Sequence, residues 1–299
     1  MDVAMKLKVD AIHPGFGFLS ENENFAQQVI DKNIVWIGPK PNLIKSMGNK
    51  DIARELALKS NIPICPGISN ITKLNSDDLK NKCENIGFPL LVKSSAGGGG
   101  IGMSVVQNFE DLSKSIEKTS NMAEKSFGNG DVFIEKFITN ARHIEIQIFG
   151  FGDKGAVHLY ERDCSMQRRY QKIIEESPAP EIDRTLIESM ANAAVKLSSD
   201  VKYQGAGTVE FIYDVEQKKY YFLEMNTRIQ VEHPVTELVT NNDLVSMQIN
   251  FAFNRKNKFL KQEKISIYGH SIECRVYAED PSKNFLPSPG KISKLTFPK

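Results

Sequence analysis

The stretch Lys93-Ser94-Ser95-Ala96-Gly97-Gly98-Gly99-Gly100-Ile101-Gly102-Met103 (KSSAGGGGIGM) packs five glycines into six positions. Formally it matches G-x-G-x-x-G at Gly97, Gly99 and Gly102, but that fingerprint needs a strand before it and a helix after it. Its flanks, FPLLVK and MSVVQ, are short, apolar and β-branched, and they predict the two strands of a hairpin. The Walker A pattern fails as well, because its lysine follows the glycines and Lys93 precedes them. What remains is a glycine loop between strands with a lysine at its base. Backbone N–H groups free of side chains can close over phosphates while such a lysine adds a point charge. A plain surface linker is the other reading of an isolated glycine run.

The surrounding composition bounds the choice. With 299 residues the chain is long enough for about two domains with real cores. Its 40% hydrophobic and 25% charged content is that of an ordinary globular protein, and a formal net charge of +1 gives no global attraction to nucleic acid or a membrane surface. Any anion site must come from local clusters. Cys65, Cys83, Cys164 and Cys274 form no C-x-x-C pair, which argues against a zinc site or a disulfide framework and suits a reducing cytoplasm. No apolar run reaches the ~20 residues of a membrane span, and the start MDVAMKLKVDAIHPG lacks the apolar core of a signal peptide.

Residues 1–40 alternate helix and strand, ending at AIHPG and IVWIG, and predict α/β layering with parallel strands. NLIKSMGNKDIARELALKSN reads as helix broken at Gly48-Asn49, and it stops at the Pro63, Pro66, Gly67 turn cluster. Residues from about 68 to 137 form a compact α/β segment around the glycine hairpin, which reads as an inserted lid. In ARHIEIQIFG, Ile144, Ile146 and Ile148 fall on one face, and His143, Glu145 and Gln147 fall on the other. That pattern predicts a strand flooring a cleft.

TVEFIYD and KYYFLEMN predict a hairpin turning around Gln217. A symmetric hairpin pairs Tyr213 with Tyr221, Phe211 with Leu223 and Glu210 with Glu224. Like charges directly opposite each other destabilise a sheet. A cation between the two glutamates would resolve the conflict, and oxygen ligands with Asn226 beside them suit Mg²⁺ or Mn²⁺. A shifted register, or one glutamate in solvent, would also resolve it. Further along, Arg162, Arg168, Arg169 and Lys172 gather around only two acids, Glu161 and Asp163, as either an anion site or a solvated face. MNTRIQVEHP, read as extended chain, puts Arg228, Gln230 and Glu232 on one face and Ile229 and Val231 on the other. Arginine beside an amide can clamp a small oxyanion, and a carboxylate two residues on can take its proton. An ordinary Arg–Glu pair on an edge strand is the plainer reading.

Taken in order, the motifs AIHPGFGFLSEN, IGPKP, MGNK, LVKSSAGGGGIGM, IEKF, RHIEIQIFG, ERDCSMQRRYQK, GAGTVEF, FLEMNTRIQVEHPVTE, HSIECRVYAEDP and FLPSPGKI resemble the biotin carboxylases of the ATP-grasp superfamily. The likeness runs nearly end to end. It implies an α/β (α+β) ATP-grasp fold with a mobile glycine-loop lid, preceded by a partial Rossmann-like domain. The implied division is 1–47 for that partial domain, 48–260 for the ATP-grasp domain with its lid at about 68–137, and 261–299 for the start of a C-terminal domain. The sequence is expected to be a piece, beginning after the family's opening strand–helix units and stopping short of its closing part.

The resemblance also implies roles. Lys50, Lys93 and the loop glycines Gly98, Gly99 and Gly100 would bind ATP phosphates. Glu135 and Lys136, with Ile138, would hold the adenine edge, Ile212 would be a further nucleotide-binding residue, and His143 and Gln167 would line the nucleotide cleft. Glu210 and Glu224, with Asn226, would hold Mg²⁺ or Mn²⁺. Arg228, Gln230 and the Val231 backbone would bind bicarbonate, Glu232 would be its general base, Lys172 would stabilise anions, and Arg275 would stabilise the biotin enolate. The implied reaction passes through carboxyphosphate to carboxylated biotin. Biotin would be borne on a separate carrier domain or chain, because no Met-Lys-Met motif occurs here. A carboxyltransferase would complete the enzyme, and the intact enzyme would be a homodimer.

Two positions depart from the family. Tyr170 stands where many relatives have histidine, and Ile101 where a basic residue is usual. The wording of ARELA, KSSAGGGGIGM and GTVEFIYD is nearer to the urea carboxylase branch than to the acyl-CoA enzymes; acetyl-CoA, propionyl-CoA, methylcrotonyl-CoA and pyruvate are the other acceptors. The rivals are another ATP-grasp ligase, such as a carbamoyl-phosphate synthetase half or a carboxylate–amine ligase, and an inactive nucleotide-binding fragment. RIQVEHPVTE and IECRVYAEDP oppose the first, and the filled catalytic positions oppose the second.

Overall fold

The structure, a computed structural model, describes residues 1–95, 102–254 and 260–297. The expected phosphate contacts of Gly98, Gly99 and Gly100, and the departure at Ile101, lie outside the described residues. In chain order the elements are α1 (Asp2–Leu7), β1 (Ala11–Ile12), α2 (Glu23–Asp31), β2 (Val35–Trp36), α3 (Pro41–Gly48), α4 (Lys50–Lys59), β3 (Gly67–Ile68), α5 (Ser76–Ile86), β4 (Leu90–Ser94), β5 (Met103–Val106), α6 (Leu112–Phe127) and β6 (Val132–Lys136). There follow β7 (Ala141–Phe151), β8 (Ala156–Arg168), β9 (Gln171–Ser177), α7 (Arg184–Asp200), β10 (Gln204–Asp214), β11 (Lys219–Asn226), α8 (His233–Thr240), α9 (Leu244–Ala252), β12 (Ser271–Cys274), β13 (Glu279–Asp280) and β14 (Leu286–Pro287). Among the described residues no helix is long and apolar enough to cross a membrane.

The first two strands are parallel, Ala11 opposite Val35 and Ile12 opposite Trp36. Their helices pack through Ala26, Val29 and Ile44. The break predicted at Gly48-Asn49 has a local cause. Asn49 sits in extended backbone, and its side chain accepts a hydrogen bond from Ile52 N, so one helix ends and a new one is capped.

Two sheets then organise the chain. The smaller has the order β3-β6-β4-β5, and the glycine hairpin is formed by antiparallel β4 and β5, with Lys93 opposite Met103. The larger has the order β11-β10-β7-β8-β9-β12, every neighbouring pair antiparallel. Residues 271–274 thus join the main sheet as its edge strand. Alternation in β7 decides which side is core: Ile144, Ile146 and Ile148 pack with Met190, Ala191 and Ala194 of α7 and with Ala53 and Ala57 of α4. The opposite face carries His143, Glu145 and Gln147. Where β10 enters, close approach demands glycine, because a Cβ at Gly150 would stand 2.3 Å from the Tyr203 carbonyl oxygen.

The hairpin of β10 and β11 pairs Glu210 with Glu224 as expected, but the expected pairs further along are wrong by one residue. Phe211 faces Phe222 and Tyr213 faces Tyr220, because a bulge lies between Glu210 and Phe211. A bulge inserts one extra residue on one strand, and here it lets the apolar part of the hairpin keep its own register while the glutamates stay opposite each other.

The polar face of the main sheet is organised by Arg162 of β8, whose side chain has no exposed area. Its Nε donates to Glu145 (2.5 Å), Nη1 to Gln147 (2.7 Å) and Thr236 (2.9 Å), and Nη2 to Thr208 (3.1 Å) and Gln230 (2.7 Å). All five guanidinium donor directions are used, as burial of a charge requires. The sequence groups Arg162 with Arg168, Arg169 and Lys172 as one patch, but only Lys172 joins Arg162, on the Glu145 carboxylate. The register shifts between Asp163 and Gln167 and the turn after β8 take Arg168 and Arg169 elsewhere. Arg168 pairs with Glu279 and lies 4.0 Å from the Phe285 ring, and Arg169 donates to the Asn284 carbonyl.

Two stability measurements follow. Ile146→Ala, emptying the centre of β7, should lower unfolding free energy by about 2–5 kcal/mol in urea titration. Arg162→Met should cost about 3 kcal/mol or more despite its similar volume, because it strands buried Thr, Gln and Glu groups.

Candidate active site

A cavity of about 710 Å³ lies between the two sheets, and every expected site residue outside the glycine run lines it. Lys93 on β4 and Glu135 on β6 enter from the smaller sheet because Leu90, Val92 and Ile134 take the alternate, core-facing positions. Lys93 Nζ donates to Glu135 Oε2 at 2.9 Å, and Arg54 of α4 pairs with Oε1 of the same carboxylate. Burial first, and then nearby Lys50, lower the Lys93 ammonium to about 8. Lys136 sends its ammonium away from the cavity, donating to the Gly87 and Phe88 carbonyls at 2.9 and 3.0 Å. Only its main-chain and proximal atoms remain for a ligand. Ile138 and Ile212 supply apolar wall beside it.

The floor is the polar face of the main sheet. His143 Nε2 lies 2.8 Å from Glu210 Oε2, and Gln167 Nε2 lies 3.0 Å from His143 Nδ1. Burial disfavours charge on His143, but Glu210 outweighs it and raises the imidazole above its ordinary value. Glu210 Oε1 also accepts from Asn226 Nδ2 (2.8 Å) and Gln230 Nε2 (2.8 Å). Burial opposes ionisation of Glu210, yet Lys172 and His143 hold it well below the usual carboxylate range. Across the hairpin, burial and the charge of Glu210 raise the Glu224 carboxyl. This like-charge conflict is what a divalent cation relieves. The two facing carboxylates are hard oxygen donors of the kind Mg²⁺ or Mn²⁺ takes. Asn226 turns its Nδ2 to Glu210 and its Oδ1 to Arg228 Nη2 at 3.1 Å, and His143, Glu145 and Glu210 bring possible ligand atoms within 4.8 Å of one another.

At the other end Lys172, entering on β9, meets three carboxylates: Glu145 Oε2 at 2.5 Å, Glu232 Oε1 at 2.7 Å and Glu210 Oε1 at 3.0 Å. Burial disfavours its charge, but Glu145, Glu210 and Glu232 outweigh that and push it well above the ordinary lysine value. Burial likewise opposes ionisation of Glu232, and Lys172 and Arg162 overcome it to hold that carboxyl at about 2. Glu232 Oε2 accepts from Arg275 Nη2 (2.9 Å), whose Nε donates to Glu175 (2.6 Å). Glu232 is therefore an anion held between two cations.

The segment 227–232 is not the extended strand that alternation suggested. It is a loop turning into α8, which starts at His233 with a proline in its first turn. Ile229 enters an apolar cluster with Phe149 and Leu244, as expected, but Val231 lines the cavity with Arg228, Gln230 and Glu232. Arg228 Nε lies 3.1 Å from Glu21 Oε2, and Glu21 Oε1 also accepts from Thr227 N at 3.1 Å. Tyr170, at the turn between β8 and β9, also lines the cavity.

Among the supporting residues, Arg54 and Glu21 were not singled out from the sequence, whereas Glu145 and Arg162 were, as a polar position of the cleft floor and as a member of the basic cluster. Glu145 was visible as a polar residue alternating with core isoleucines. Arg162 carried the same signal, a charge inside a strand, without any sign of burial.

A family model for the carbamoyl-phosphate synthase L chain, ATP binding domain, matches residues 49–259, and one for the biotin carboxylase N-terminal domain matches residues 1–44. Biotin carboxylase 1 of Bacillus subtilis is 49% identical over 98% of this chain and 64% of its own length. Methylcrotonoyl-CoA carboxylase subunit alpha of Dictyostelium discoideum is 45% identical over 100% of this chain and 42% of its own. The chain thus spans less than two thirds of these relatives. Among solved structures, the Campylobacter jejuni biotin carboxylase–beta-gamma-ATP complex aligns with a TM-score of 0.91 at 43% identity, over 98% of this chain and 65% of that one. The biotin carboxylase domain dimer of Hydrogenobacter thermophilus 2-oxoglutarate carboxylase, solved with MgADP, ADP and bicarbonate, aligns at 0.92 and 44%, over 100% of this chain and 65% of that one. The chain has the ATP-grasp fold of these proteins, and it belongs to the carbamoyl-phosphate synthase L chain ATP-binding family, within its biotin carboxylase branch.

Proposed function

We propose that the chain carries the biotin carboxylase half-reaction, the ATP- and bicarbonate-dependent carboxylation of biotin borne on a carrier. The observation that supports it most is the cavity end where Lys172, Arg275 and Glu232 meet beside Arg228 and Gln230. Bicarbonate needs a guanidinium and amide to hold it and a carboxylate to take its proton. Arg228, Gln230 and the Val231 backbone bind it, and Glu232 is the base. The bicarbonate oxygen then attacks the γ-phosphorus of ATP, and the bond to the β,γ-bridging oxygen breaks to release ADP. The resulting carboxyphosphate breaks to CO₂ and phosphate, the phosphate takes the N1 proton of biotin, and N1 captures CO₂. Lys172 stabilises the anions formed, and Arg275 offsets negative charge developing on the ureido oxygen.

Lys50 and Lys93 bind the ATP phosphates, helped by the glycine run. Glu135, Lys136, Ile138 and Ile212 hold the adenine, and His143 and Gln167 border the nucleotide. Glu210, Glu224 and Asn226 hold Mg²⁺ or Mn²⁺, which when bound supplies positive charge to phosphoryl oxygens. The corresponding division is 1–47, 48–260 with a mobile lid at about 68–137, and 261–299. In the intact enzyme the partners are a carrier domain, a carboxyltransferase and a second copy of the chain. A reducing cytoplasm suits the four free thiols. Relatives named for methylcrotonoyl-CoA and pyruvate lie at 45% and 44% identity, so similarity does not select an acceptor. The leaning toward urea rests on the wording of three motifs alone.

The family model's own name makes a carbamoyl-phosphate-type ligase the second reading. The two part on biotin. The full-length protein should cleave ATP in a bicarbonate-dependent manner and carboxylate free biotin; ATP binding without biotin-dependent turnover would overturn the proposal. Glu232→Gln should lose biotin carboxylation by roughly 10²-fold or more while ATP affinity, measured by calorimetry, is kept. Loss of ATP affinity in that variant would refute the role of Glu232. Lys93→Met should instead raise the dissociation constant for ATP, by about tenfold or more.

A further inference from the structure

Glu135 is buried, and two cations share its carboxylate. Lys93 Nζ takes Oε2 at 2.9 Å, and Arg54 takes Oε1. Both cations also lie over the Phe133 ring, Lys93 Nζ at 5.5 Å and Arg54 Cζ at 5.3 Å, but they differ in what else they touch. Lys93 stands on β4, faces the cavity, and has an ammonium that can swing on a flexible stem. Arg54 stands on α4, whose Ala53 and Ala57 are built into the main core. Its guanidinium is fixed at three points: the Glu135 carboxylate, the Cys65 carbonyl at 3.4 Å from Nη2, and the Phe133 ring 5.3 Å from Cζ. Arg54 is not among the residues lining the cavity, and its side chain is 11% exposed.

This asymmetry poses a problem with one solution. A phosphate chain in the cavity attracts the Lys93 ammonium, and Lys93 can meet it only by giving up Glu135. Glu135, 7% exposed in its side chain, would then be an uncompensated buried carboxylate, a costly state. That cost would be subtracted from nucleotide affinity. Arg54 removes it by keeping one carboxylate oxygen paired throughout.

Resting on the proposed ATP-binding reading, we infer that Arg54 is a positioning residue that holds the Glu135 charge so that Lys93 can pass to the nucleotide phosphates. It touches no substrate and acts through Glu135. It also spans from α4 to β6, tying the main body to the sheet that carries the glycine hairpin.

The test is nucleotide binding by the full chain, measured by calorimetry with ATP and with adenosine as probes. Arg54→Met should weaken ATP binding on the order of tenfold and adenosine binding by much less, because only phosphate requires Lys93 to move. In a Glu135→Gln background Arg54→Met should cost no further ATP affinity, whatever Glu135→Gln itself costs, since a neutral amide no longer needs a cation. Arg54→Lys, which keeps the charge, should lie between wild type and Arg54→Met. In turnover the effect should fall on the KM for ATP rather than on kcat. Equal loss of ATP and adenosine affinity, or an undiminished effect of Arg54→Met in the Glu135→Gln background, would mean that Arg54 is merely structural and would overturn the inference. So would unchanged ATP affinity in Arg54→Met. A wild-type chain that binds adenosine but not ATP would instead overturn the functional reading beneath it.

Discussion

A fully buried guanidinium sets the terms for the rest of this molecule. Arg162 lies in the middle of a sheet whose other face is packed with isoleucine, and it can be charged there only if every donor finds an acceptor. Its partners come from β7, β10, the loop before α8 and α8 itself, so the requirement fixes four segments relative to one another. Two of those partners, Glu145 and Gln230, are also the neighbours of Lys172 and Glu210. The charge that stabilises the floor of the cavity is therefore the same charge that aims its reactive side chains.

From Arg162 outward, charges alternate in sign at hydrogen-bonding distance: Glu145, then Lys172, then Glu232 and Glu210, then Arg275 and His143. Most of these groups are buried, and their neighbours favour the charged forms of Lys172, Glu232, Glu210 and His143 against the cost of desolvation. The exception is Glu224, whose nearest strong influence is another carboxylate. Glu224 also lies in the field of Lys50, His143 and Lys93, and the cavity's two arginines are already engaged, Arg228 with Glu21 and Arg275 with Glu175 and Glu232.

Much of this was legible in the sequence because it follows from strand alternation. Isoleucines at 144, 146 and 148 predicted the core face of β7, and the polar residues between them predicted the cavity floor. The Glu210–Glu224 pair was legible from hairpin symmetry. What symmetry could not supply was the bulge at Glu210/Phe211, since an inserted residue leaves no local mark when both flanks are apolar and aromatic. Alternation misled at Arg228–Glu232 for a related reason. The segment alternates in composition, but Pro234 and the cap of α8 impose a turn, so Val231 joins the cavity instead of the core.

Long-range pairing explains the remaining misses. The four basic residues 162, 168, 169 and 172 are close in sequence, and nothing in their spacing says that the first is buried by a strand 17 residues earlier and a helix 74 residues later. The same holds for Arg54 and Glu135, 81 residues apart. Charged side chains in strands and helices are ordinarily solvated, so their burial is visible only when the partner is known. A site built from buried ion pairs is thus recognised in sequence by its outermost members, which face the ligand and stand in compact motifs. The inner members that hold them in place emerge only when the sheets are assembled.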